Sequence, residues 1–318
     1  MQNMRDMHDQ LWWRDGCARP LVAVGVALVM SGIAHVGVWA VAGGPWEGPV
    51  TWRKPILFGI SGGLTCLSLG WAFARLAPRR GDVAIAWATA LALFIEVALI
   101  DLQRWRGVAS HFNRATPLDA VLFDVMGGLI LGVTLVCVDL TLRFLWRSPA
   151  GMSADMVLAA RAGFVLLSVS CLLGIWSSVH GDWRVQAGLA PETFGAAGVA
   201  KFPHGAVIHA VQWLPGLAWA ALRAGIAERG RVRLVAAAAA GSMLVLAYAL
   251  AQTFLGRARF DASPPLAAVL ATGVACLAVP AAITAAAWLR SRRPPPPAAA
   301  GPAARQGAAG IPRARGGR

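Results

Sequence analysis

The sequence predicts an all-α, polytopic membrane bundle of about eight transmembrane helices, on three observations. Mean hydropathy is +0.59, 57% of residues are hydrophobic and only 14% are charged, which leaves too little polar surface for a water-soluble domain of 318 residues. Apolar runs of about 20 residues recur, the length a helix needs to cross a bilayer, whereas barrel strands would be short and alternating. Arginines fall mainly between and at the ends of those runs.

Taken in order, residues 1–19 form a mixed-charge head with Trp12 and Trp13 as interfacial anchors. Spans are expected near 21–42, 55–77, 83–103, 117–142, 157–179, 203–226, 232–255 and 265–289. The first run contains Ala40-Val41-Ala42, which resembles a cleavage site, but it is too long for a signal h-region. Residues 20–290 thus form the transmembrane domain. From 291 to 318, Pro294 to Pro297 followed by Ala, Gly and Arg cannot build a core and read as a disordered basic tail suited to anionic lipid. Cys66, Cys137, Cys171 and Cys276 sit inside apolar runs without metal-type spacing, so they read as small buried hydrophobes rather than disulfide partners.

Of the 29 Lys and Arg residues, 20 collect on one side of this topology: the head, 75–80, 143–161, 223–233 and the tail. The positive-inside rule places that side, with both termini, in the cytoplasm of a bacterial inner membrane. The net charge of +14 follows from this topology, and nothing points to nucleic acid.

Chemistry collects on the opposite, outer side. Five of the six histidines fall there (His35, His111, His180, His204 and His209), as do the only two lysines, Lys54 and Lys201. The densest stretch runs from Glu96 to Asp119. Glu96, Gln103 and Gly107 share one helix face, with Glu96 about 10 Å below Gln103. A carboxyl at that depth must face the bundle, protonated or paired with a cation such as Lys54 or an arginine. Arg106, Asn113 and the near-neutral imidazole of His111 follow in the turn. Thr116-Pro117-Leu118-Asp119 reads as a helix start, with Thr116 as N-cap, Pro117 at the first position and Asp119 in the first turn, while Asp124 lies deeper. His180 to Arg184 makes a second polar island and Lys201 to Pro215 a third. In the third, His209 and Gln212 share a face. His204 joins His209 on one metal only if the first turn is irregular, and Pro215 should kink the span.

The pattern Glu-x6-Gln-x3-Gly-x2-Ser-His-Phe-Asn-x2-Thr-x2-Asp resembles a family of uncharacterised bacterial polytopic membrane proteins. Lys-Pro opens the second span, Gly-Asp-x-Arg follows, and then His-x2-Gln-x-Leu-Pro. The resemblance covers about 50–225 and implies a shared site without naming its use. Where that family carries His-Phe-x-Gly-x-His, this chain reads Phe202-Pro203-His204-Gly205 before His209.

The expected site is therefore a polar pocket of Lys54, Glu96, Gln103, Arg106, His111, Asn113, Asp124 and Gln212. One reading is transport, sensing or proton handling, with a small solute, a proton or a quinone as partner besides the bilayer. A second holds b-type haem or a metal between helices through His209 and either His111 or His35, as a membrane redox protein. Span count and outer-face histidines are similar to the haem A synthases, without their Glu-x-x-His-Arg pattern. A third is a zinc hydrolase, in which Ser31-x3-His35 resembles the alkaline ceramidase type, although its His-x3-His is His-x4-His here. No Walker, Rossmann, HExxH or GxSxG element names a reaction.

Overall fold

Eight helices long and apolar enough to cross a bilayer make up the fold among the described residues. The structure, a computed structural model, describes residues 12–147, 149 and 151–292. The head up to residue 11 and the tail from 293 lie outside the described residues.

The helices are α1 (Ala18–Ala42), α2 (Arg53–Arg75), α3 (Asp82–Trp105), α4 (Pro117–Trp146) and α5 (Ala154–Gln186). A two-stranded hairpin, β1 (Thr193–Phe194) and β2 (Gly198–Val199), precedes the broken sixth span, α6 (Phe202–Val207) and α7 (Ala210–Arg223). The chain then runs through α8 (Glu228–Phe254) and α9 (Pro264–Ser291). The expected spans all appear, and the chain is an integral membrane protein.

Three differences from the sequence reading have physical causes. The first helix starts at Ala18, three residues before the expected 21, where Asp15 Oδ1 accepts from the backbone N–H of Cys17 at 2.8 Å. The His180 island is not a loop, because α5 continues through it to Gln186. Its 33 residues span about 50 Å at 1.5 Å each, more than the hydrocarbon core of about 30 Å, so the helix tilts in it or extends beyond it. Finally, the sixth span breaks at Ile208–His209 rather than at Pro215, which lies inside α7. The break separates His204 from His209.

Helix α5 belongs to two cores. Leu21, Cys66, Leu69, Ala90, Cys137 and Phe144 pack against its Phe164 and Leu167 on one side. Its Ala159 and Leu166 meet Leu214, Ala218, Val235 and Ala238 of α7 and α8 on the other. The N-terminal half is tightened by glycine. A Cβ on Gly59 of α2 would lie 2.8 Å from the Cα of Gly32 on α1, and one on Gly63 would lie 2.6 Å from the Gly25 carbonyl oxygen. In lipid, such backbone approach supplies dispersion contacts that replace the hydrophobic drive. Gly59→Val is therefore expected to part α1 from α2 and cost about 1–3 kcal/mol, read as a lower unfolding temperature in detergent.

On the arginine-rich face, two ion pairs tie the halves internally. Buried Arg143 of α4 donates to both carboxylate oxygens of Asp82 on α3, at 3.2 and 3.0 Å, and to the Ala77 carbonyl at 2.8 Å. Buried Arg231 of α8 does the same to Asp155 of α5, at 2.8 and 3.0 Å. Both acids sit in the first turn of their helices, where the dipole favours them.

Candidate functional site

The loop between α3 and α4 is built by its own side chains. Helix α3 ends where Gly107 takes φ +75°, letting the Val108 N–H reach the Gln103 carbonyl at 3.0 Å. Phe112, at φ +56°, is the one non-glycine residue with positive φ among the described residues. Its ring lies against Gly181, where a Cβ would come within 2.5 Å of it, so packing on α5 holds an uncommon backbone geometry. Asn113 closes the turn, donating to the Ala109 carbonyl at 3.0 Å and accepting from the Ala115 N–H at 3.1 Å.

Several expected pocket residues are engaged by this architecture. Thr116 caps α4, its Oγ1 accepting from the Asp119 N–H at 3.1 Å, and the Asp119 carboxylate is a hub. Gln103 Nε2 donates to its Oδ1 at 3.0 Å, Arg106 at 2.8 Å, and Thr116 Oγ1 donates to its Oδ2 at 2.7 Å. Arg106 also donates to Gln103 Oε1. Gln103 and Arg106 therefore anchor α4 to α3. Asp124 is exposed rather than deep, and Arg114 clamps it to Asp182 of α5, with bonds of 2.8 Å to each acid. His180 stacks on Trp176 at 5.6 Å, lies within 5.2 Å of Phe194, and bonds to the Thr193 carbonyl at 3.1 Å, so it holds the hairpin.

His35 forms a separate cluster on α1 and α3. Its Nδ1 donates to the Ser31 carbonyl at 2.9 Å, and its Nε2 accepts from Trp105 Nε1 at 3.1 Å. Both ring nitrogens are thereby hydrogen-bonded. Ser31 Oγ also donates to Asp101 at 3.2 Å, and Arg104 stacks 3.8 Å from the centroid of Trp52. The sequence reading missed Asp101 and Arg104.

What remains converges on one face of α2. Lys54, Phe58, Ser61, Thr65 and Ser68 follow each other at three- and four-residue steps along that helix. His111 packs on Phe58 at 5.4 Å and on Phe123 at 6.2 Å. One turn deeper, Ser61 Oγ donates to His209 Nε2 at 3.3 Å, while His209 Nδ1 donates to Gln212 Oε1 at 3.2 Å. Gln212 Nε2 then donates to Ser68 Oγ at 3.0 Å. This seam joins α2 to α7 by side chains, and His209 stays exposed within it. At one end of it stand Lys54, which has no hydrogen-bond or ion-pair partner among the described residues, and Lys201, paired to Glu192. His204 faces α5, donating from Nδ1 to the Ser170 carbonyl at 2.7 Å. Ser61 and Ser68 were missed by sequence because a serine in an apolar run carries no signal until its neighbour is known.

Burial among the phenylalanines, with the nearby charges of Lys54 and Lys201, pushes the His111 imidazole down to about 3. The unfolded imidazole takes its proton near 6.5, so acidification from about 6.5 towards 3 favours the unfolded state, and the neutral ring contributes its full stability only above that window. His111→Asn is expected to flatten the fall of unfolding temperature with pH across it.

Glu96 stands apart from every other buried acid. Asp82, Asp119 and Asp155 each have an arginine, whereas Glu96 is 3% exposed, makes no hydrogen bond among the described residues, and has an Oε2 enclosed without a partner. It lies one turn from Ile100, which packs with Phe123 and Met126 beneath His111. Among the described residues, no group of three or more His, Cys, Asp or Glu side chains is placed to hold a metal. No protein-family model matches the chain, and neither curated proteins nor solved structures give a match.

Proposed function

We propose that this integral membrane protein handles a proton together with a small polar solute, received from the outer, periplasmic face of a bacterial inner membrane in which both termini are cytoplasmic. The observation that carries the reading is Glu96, a carboxyl without counter-charge inside a bundle whose other buried acids are paired. Such an arrangement costs several kcal/mol for the anion, so the site holds a proton or receives a cation, and intramembrane groups of this kind mark ion and substrate paths. The α2–α7 seam supplies donors and acceptors in series, and Lys54 supplies a free positive charge at its mouth. Purified protein in liposomes, loaded with a pH-sensitive dye and screened against small solutes under an imposed pH gradient, tests it. Solute-dependent proton movement is expected, and His209→Ala should lower it about tenfold, because it removes the link between Ser61 and Gln212 in the hydrogen-bonded chain. Proton movement indifferent to every solute and to His209→Ala would overturn the reading.

A second reading rests on the convergence of His111 and His209 on Phe58 and Ser61 of α2. Two histidines from different segments suit b-type haem, which needs two axial nitrogens, better than zinc, which needs three or four ligands. An absorption spectrum of protein purified after haem-replete expression, oxidised and then reduced, decides it: a Soret band lost in His209→Ala supports the haem, and a colourless protein removes it.

A further inference from the structure

A groove of about 610 Å³ lies between α7 and α9 and runs towards the arginine-rich face. Trp213, Leu217, Leu277, Ala281 and Trp288 make it apolar, with Thr284 in its wall. Thr284 is 4% exposed and its hydroxyl has no hydrogen-bond partner. Buried Thr51 is alike in this, whereas Thr65, Thr89, Thr134 and Thr141, inside their helices, each donate to the carbonyl four residues back, at 2.7 to 2.9 Å. A buried hydroxyl left without an acceptor is costly, so the wall here is packed from apolar atoms.

The end of the groove is equally specific. Trp219 and Trp288 lie 5.9 Å apart across it. Arg223 sits 5.6 Å from the Trp219 ring and Arg292 sits 5.2 Å from the Trp288 ring. Neither arginine has a carboxylate partner among the described residues. Thr284, Trp288 and Arg292 follow each other at one-turn steps, so Thr284 lies about 12 Å below Arg292 along the axis. From depth to surface this gives an apolar slot, an aromatic pair at interface level and two cations.

We propose that the groove is a binding site for an anionic phospholipid. One acyl chain fills the slot, and Arg223 and Arg292 hold the phosphate, with their stems along the tryptophans. A second copy of this chain fits less well, since joining two such faces would bring unpaired arginines together with no acid opposite.

Native mass spectrometry of the full chain, delipidated in detergent and offered equal phosphatidylglycerol and phosphatidylcholine of the same acyl length, tests this. An adduct preference for phosphatidylglycerol of about tenfold is expected, since each arginine near a lipid surface contributes about 1 kcal/mol. The double variant Arg223→Gln/Arg292→Gln should bring the two lipids to parity while keeping the phosphatidylcholine adduct, which shows the protein still folds. Ala281→Phe should weaken both. Equal retention of the two lipids by wild type, or a preference that survives the double variant, would overturn the site. So would a wild-type dimer that Ala281→Phe dissolves, because a second copy would then occupy the groove.

Discussion

Glu96→Gln is expected to cut solute-coupled proton movement by at least about tenfold while leaving the protein as stable as wild type or slightly more so. Glutamine keeps the shape of the side chain and its capacity to hydrogen-bond, and loses only the exchangeable charge. The substitution therefore separates the two roles open to a buried carboxyl. A helix-to-helix hydrogen bond would survive it, and proton exchange would not. Unfolding temperature in detergent and proton flux in liposomes, measured on one preparation, show which property moved. Normal flux in a normally folded variant would mean that Glu96 carries no proton.

The largest structural effect is expected at the opposite face. Arg143 is 3% exposed and makes three bonds to Asp82 and the Ala77 carbonyl. Arg143→Ala leaves Asp82, itself buried, with an uncompensated charge, which costs about 3–5 kcal/mol. Chemical or thermal unfolding in detergent should register that loss. The double replacement Asp82→Ala/Arg143→Ala should recover part of it, because a buried pair removed together strands nothing. If the single and double variants are equally destabilised, the pair contributes packing rather than charge compensation.

The fold was largely legible in sequence because run length and hydropathy directly report the solvent a helix sits in. The spans from 53–75 to 264–291 appear where apolar runs stand. The broken sixth span was partly legible: the spacing of His204 and His209 raised an irregular turn as a condition, but its place at Ile208–His209, rather than at Pro215, depends on packing that sequence does not display. The site was less legible, for a specific reason. Polar residues near a membrane face look alike in sequence whether they serve a ligand or the fold. Gln103, Arg106 and Asn113 proved to be partners of Asp119 and of the loop backbone, and Asp124 a surface ion pair of Arg114. The arginines assigned to topology include Arg143 and Arg231, which clasp acids in the first turns of α3 and α5. A first-turn acid paired with an arginine at the end of another span is the signal that could have found them.

The most direct test of the central claim, a polar seam opening away from the arginine-rich face, is labelling of Ser61→Cys in intact cells with a membrane-impermeant maleimide. Thiols react as thiolates, so labelling requires water at the site. The account predicts reaction from outside the cell above the background of the native cysteines, with Ala281→Cys, in the groove near the other face, unreactive under the same conditions. If Ser61→Cys stays unlabelled from outside, or reacts only after the inner face is exposed, the seam is closed or reversed and the proposed path is wrong.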